Sequence, residues 1–135
     1  MKNYILNLTS TTHDGGELLD FCEKVLSDNT ILPEEYYDIL VCLDEAFSNI
    51  LLHSYKSEGG KKIDVKIKMS NRNELFITFR DYARRPNIRE KAPGKEILKR
   101  KSPGVGIFIM KKLMDRIIYR RIFNTNYLML YKKLA

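Results

Sequence analysis

Leu43-Asp44-Glu45-Ala46-Phe47-Ser48-Asn49-Ile50-Leu51-Leu52-His53-Ser54-Tyr55 is the stretch on which the fold turns. Its apolar residues, with those just upstream, fall at Tyr36, Ile39, Leu40, Leu43, Ala46, Phe47 and Ile50. That is the i, i+3, i+4, i+7 spacing of a helix with one face in a core. Glu45, Asn49 and His53 stand four residues apart along it. Each four-residue step drifts only about 40° around a helix, so the three share one edge of the apolar stripe. Such an edge suits a site that holds a hard cation and moves a proton. Asn offers a neutral oxygen to Mg²⁺, and Glu can serve as a general base. The plainer reading is a solvated helix edge ending in a structural histidine.

Working outward, Pro33 suits the first turn of this helix, which is expected to run to about Tyr55, with Glu58-Gly59-Gly60 beyond it. Upstream, residues 2–8 alternate like a strand. Residues 14–28 read as a helix with Leu18, Leu19, Cys22, Val25 and Leu26 on one face. Downstream, Ile63, Val65, Ile67 and Met69 alternate with Asp64, Lys66 and Lys68, the period of a half-buried strand. A turn at 71–73 leads to a second alternating strand, 74–80, that ends at Asp81. Residues 82–102 have no period, and 104–114 read as a helix. Residues 116–123 and 127–131 form a hairpin around Asn124-Thr125-Asn126. The architecture expected is an α/β two-layer sandwich, a mostly antiparallel mixed sheet with helices on one face.

Composition narrows the function. The 135 residues suit one domain, 1–135, with a single core, and 44% hydrophobic with 30% charged residues describes a folded chain. No apolar run approaches the roughly 20 residues of a membrane span, and no signal segment opens the chain. Cys22 and Cys42 fit no metal spacing and read as reduced core thiols of a cytoplasmic protein. Residues 1–60 hold three basic and eleven acidic side chains, a net of −8, and the remainder carries +15. That bias allows nucleic acid, but no nucleic-acid module is present. A polyphosphate ligand or an acidic protein surface explains it as well.

Two more constellations carry chemistry. Asp81, at a strand end, can accept a hydrogen bond from the exocyclic amine of adenine, where guanine offers a carbonyl. Gly104-Val105-Gly106 opens a helix whose free N–H groups attract a phosphate. It is neither a Rossmann fingerprint nor a Walker A loop. The aperiodic 82–102 segment holds eight cations against two acids and reads as a lid that closes over an anion.

In this order Glu45-xxx-Asn49-xxx-His53-x-Tyr55, Asp81 and Gly104-x-Gly106, followed by Leu113-Met114-Asp115, resemble the histidine-kinase-like ATP-binding (Bergerat) fold. Within it they look most like the anti-sigma-factor serine kinases. The resemblance implies a homodimeric, cytoplasmic ATP and Mg²⁺ binder. Such a protein sequesters a sigma factor and phosphorylates a serine on a STAS-domain antagonist, with no direct contact to nucleic acid or membrane. It implies Asn49 as the Mg²⁺ ligand, Glu45 as catalytic base and Asp81 as the adenine-binding residue. It implies Gly104, Val105 and Gly106 as the phosphate-approaching backbone, and Thr125 as support for the adenine network. Ala83 lies in the nucleotide-contacting loop where the family pattern has glycine. A positive φ there would cost Ala on the order of 1 kcal/mol. The alternative is a non-catalytic, nucleotide-responsive module of the same fold.

Overall fold

The structure, a computed structural model, describes residues 1–11, 14–84 and 103–135. The elements are β1 (Lys2–Thr9), α1 (Asp14–Ser27), α2 (Pro33–Asn49), a π-helical turn (Ile50–Ser54), β2 (Lys62–Met69), β3 (Glu74–Asp81), α3 (Pro103–Leu113), β4 (Arg116–Ile122) and β5 (Thr125–Lys133). The strands form one sheet in the order β1-β2-β3-β5-β4. All four pairings are antiparallel, so the sheet is more uniform than the mixed one expected.

Period-two alternation decides what the sheet buries. Ile63, Val65, Ile67 and Met69 of β2, Leu75, Ile77 and Phe79 of β3, and Leu128 and Leu130 of β5 all turn inward. Against them pack Leu18, Cys22, Val25 and Leu26 of α1, then Ile39, Leu43, Ala46 and Phe47 of α2, and Ile107 and Met110 of α3. The helices cover one face, giving the two-layer α/β sandwich. Tyr36 and Leu40 are only half-buried at the edge of that core. Leu19, expected on the buried face of α1, is half exposed, because a 14-residue helix on one sheet face buries a stripe and not its flank. Burial pushes the Cys22 and Cys42 thiols up to about 12, so both stay protonated and unreactive inside this core.

The helix predicted through Tyr55 stops being α at Asn49. Over Ile50–Ser54 the backbone widens, with the Tyr55 N–H donating to the Ile50 carbonyl at 3.0 Å. Lys56 and Ser57 then both take left-handed φ, 49° and 64°, and reverse the chain toward β2. The wider turn changes the spacing of the side chains after Asn49. It carries Ser54 and Tyr55 inward, where both are buried.

Candidate functional site

The polar centre of the molecule is Asp81, 1% exposed at the inner end of β3. A buried carboxylate persists only with donors on its oxygens. Here Oδ1 accepts from the Asn126 amide at 2.8 Å and from the Ala83 N–H at 3.1 Å, and Oδ2 accepts from the Ser54 hydroxyl at 3.3 Å. Register explains the first bond, since Asp81 pairs directly with Asn126 across the β3–β5 ladder. The π-helical turn explains the third. Burial raises the Asp81 carboxyl above the usual range, and the bonds from Asn126, Ala83 and Ser54 and the nearby Arg121 charge hold it down in part.

Further side chains extend this centre. Tyr119 donates to Asn126 Oδ1 at 2.6 Å, as does Arg121 at 2.9 Å. The Arg121 guanidinium also donates to the Ala83 carbonyl at 3.0 Å and to the Arg84 carbonyl at 2.6 Å. The chain leaving β3 is thus clamped onto the β4–β5 hairpin. On the other side the Tyr55 hydroxyl donates to the Lys62 carbonyl at 2.6 Å and accepts from the Tyr82 N–H at 2.8 Å. Burial pushes the Tyr55 phenol up to about 12 despite the Tyr82 N–H on its oxygen. Next to this network lies a cavity of about 480 Å³ lined by Ser54, Tyr55, Lys56, Lys61, Tyr82 and Arg84, among others.

Ala83 itself is buried and takes no positive φ; among the described residues that conformation is confined to Lys56, Ser57, Gly60, Asn73, Phe123 and Asn124. The cost attached to losing a glycine therefore does not arise. The Ala83 N–H closes a local turn onto Asp81, which an L residue makes without strain.

Thr125 does not join the network. Its hydroxyl donates to the Phe123 carbonyl at 3.5 Å, and Asn126 takes the inward position. The turn also sits one residue earlier than expected, with positive φ at Phe123 and Asn124. Thr125 and Asn126 therefore belong to β5. A signal for Asn126 was present in the sequence: it precedes Leu128 and Leu130 at period two, a polar residue on a core-facing row. Arg121 and Ser54 carried no such mark.

The second pole lies on α2. Glu45 is half-buried and Asn49 is 6% exposed. Asn49 Nδ2 is buried with no hydrogen-bond partner, a state rare enough in folded proteins to need a reason. The unmatched atom is an N–H donor, which suits an anionic acceptor such as a phosphate oxygen. α2 packs beside α3, whose first residues include Gly104, Val105 and Gly106. The backbone there is helical, and most of the 82–102 segment expected to act as a lid, residues 85–102, lies outside the described residues.

ATP fits this arrangement. Each carboxylate oxygen has two lone-pair sites, and Asp81 Oδ2 carries one long bond, so it retains capacity for an amine. Among the described residues no cluster of three or more His, Cys, Asp or Glu could hold a metal by itself, so a cation here would need the phosphates as ligands too.

The chain belongs to the histidine kinase-like ATPase domain family, whose sequence profile matches residues 8–132. Membership makes it an ATP-binding domain of the kinase and ATPase kind. Solved structures share the fold. The RsbU and RsbW domains of Rv1364c from Mycobacterium tuberculosis align with a TM-score of 0.73 at 12% identity, covering 99% of this chain and 33% of that one. The SiaB–SiaC complex from Pseudomonas aeruginosa aligns at 0.66 and 14% identity, covering 96% and 88%. The histidine kinase domain of the blue-light activated kinase EL346 from Erythrobacter litoralis aligns at 0.61 and 14%, covering 89% and 60%. The chain thus spans about a third of the length of the mycobacterial protein. No curated protein matches it by sequence. Among the described residues no helix is long and apolar enough to cross a membrane.

Proposed function

We propose that residues 1–135 form one cytoplasmic, ATP-dependent serine protein kinase domain of the anti-sigma type. It would act as a homodimer, hold a sigma factor and phosphorylate a STAS-domain antagonist. The observation that carries the reading is a pair of poles in one family fold: a buried acceptor, Asp81, and a buried, unpartnered carboxamide, Asn49. The likeness to an RsbW domain and to SiaB, seen with SiaC, supports a regulator that works through protein partners.

In this reading Mg-ATP supplies the γ-phosphoryl group and the cation that neutralises it. Asp81 accepts the exocyclic amine of the base, and Ala83 lines the approach to it. Asn49 would hold Mg²⁺ through its amide oxygen. The backbone N–H groups of Gly104, Val105 and Gly106, at the start of α3, would offer the phosphates the partial positive charge of a helix N-terminus. Glu45 takes the proton from the attacking serine hydroxyl at its carboxylate oxygen. Phosphoryl transfer proceeds through a loose transition state, so positioning and charge neutralisation carry most of the catalysis. The test is incubation with labelled ATP, Mg²⁺ and STAS-type antagonists. Label transferred to a serine that depends on Glu45 supports the reading. Nucleotide binding without transfer to any of them would leave a nucleotide-responsive binding module.

A further inference from the structure

We propose that the outer face of the sheet is a docking surface for an acidic amphipathic helix of a partner protein. This face lies opposite the helical layer and the inward-turned Asp81, so the inference stands apart from the nucleotide reading. Register assembles it. One row across the strands runs Lys68, Phe76, Tyr131, Arg116, and the next runs Lys66, Thr78, Met129, Ile118. The middle positions form an apolar groove of about 460 Å³, floored by the sheet and walled by Phe76, Ile118, Met129 and Tyr131. Phe76 stays 37% exposed, and its ring leans on Tyr131 at 5.2 Å. The Tyr131 hydroxyl donates to Glu74 Oε2 at 2.7 Å, which orients that wall of the groove.

Cations flank the groove on both sides: Lys66 and Lys68 on β2, Arg116 and Arg120 on β4. None of these is in an ion pair among the described residues. The carboxylates of this face have partners within it, Asp64 with Arg80 and Tyr82, and Glu74 with the Tyr131 hydroxyl at the groove. β2 and β4 are three strand spacings apart, about 14 Å. A helix about 10 Å across, laid along β3 and β5, would put apolar side chains in the groove and carboxylates over both cationic rows.

The chemistry favours this occupant. Single-stranded nucleic acid needs open ring faces for stacking. Here Arg80 lies over the rings of Tyr82 and Tyr127, at 4.9 and 5.9 Å, and Phe76 and Tyr131 cover each other. A second copy presenting the same face would set cation against cation.

The probe is a fluorescent, helix-stabilised peptide of about 14 residues, with Leu and Phe at i, i+3 and i+7 and Glu on both flanks. Binding to the full chain should follow anisotropy, weaken with salt, stay the same with and without Mg-ATP, and shift the NMR signals of Phe76, Ile118 and Met129. Lys66→Glu with Arg116→Glu should weaken it about tenfold or more, and the doubly reversed protein should bind the Lys-flanked version of the peptide instead. Circular dichroism confirms that these exposed changes leave the fold intact. Met129→Lys serves as an independent groove variant and should also reduce binding. Equal binding of a scrambled peptide, tighter binding of a single-stranded oligonucleotide, self-association through this face by sedimentation, or no binding would each overturn the proposal.

Discussion

The Asp81 end of the site and the Asn49 end are both buried and polar, yet they are built in opposite ways. Asp81 has donors on each oxygen, and Asn126, which supplies the shortest, is itself held by Tyr119 and Arg121. Asn49 is packed into α2 with its amide nitrogen unmatched. A buried carboxylate without donors would cost several kcal/mol, so folding had to satisfy Asp81 before any ligand arrived. A neutral amide short of one bond costs only about 1–3 kcal/mol, which a fold can carry and a ligand can recover. One pole is therefore part of the scaffold, and the other keeps an unmatched donor.

The contrast breaks most sharply at Glu45. Glu45→Gln keeps shape and removes the base, so phosphotransfer should fall by about 10²–10⁴-fold while nucleotide affinity and melting temperature hold. Equal activity would reduce Glu45 to a polar edge residue. Paired substitutions sharpen the contrast next. Asn126→Ala strips Asp81 of its shortest bond and should cost about 1–3 kcal/mol in urea denaturation. Asn49→Ala should change stability by under about 1 kcal/mol yet abolish the Mg²⁺ dependence of nucleotide binding. The reverse ranking of the two stabilities would contradict the division into scaffold and unmatched pole.

Asp81→Asn is a gentler probe. The new amide keeps an oxygen for Asn126 and Ala83 and offers its NH₂ to the Ser54 oxygen, so stability at neutral pH should hold. Calorimetry should show ATP and ADP weakened about tenfold, roughly 1.4 kcal/mol, with adenine no longer preferred over guanine. The same carboxylate sets a pH dependence. Its folded pKa is raised, so between the ordinary carboxylate value near 4 and that raised value the native state binds the extra proton. Stability from this group therefore rises as pH falls through the window. Adenine affinity is lost over the same window, because the ionised acceptor disappears. Asp81→Asn should flatten both curves. The smallest effect belongs to Thr125→Ala. Its hydroxyl reaches only the Phe123 carbonyl at 3.5 Å, and both stability and nucleotide affinity should stay within about 0.5 kcal/mol of the parent.

The order of elements, the inward rows of the strands and the buried stripe of α2 could all be read from periodicity and spacing. Those signals are local, and each follows from a repeat of two or 3.6 residues. What periodicity missed depends on contacts between distant segments. Asn126 supports Asp81 because two strands 45 residues apart in sequence are in register. Ser54 reaches the same carboxylate because the helix widens after Asn49, a change with no signature in the sequence. Ala83 is unstrained because Arg121 and Asp81 fix its backbone, which no single-residue propensity could foretell. The sequence by itself determined which residues were polar at buried positions. Only the tertiary structure decided which of them satisfy one another and which keep an unmatched atom, because a hydrogen bond depends on where two atoms meet in space and not on their distance along the chain.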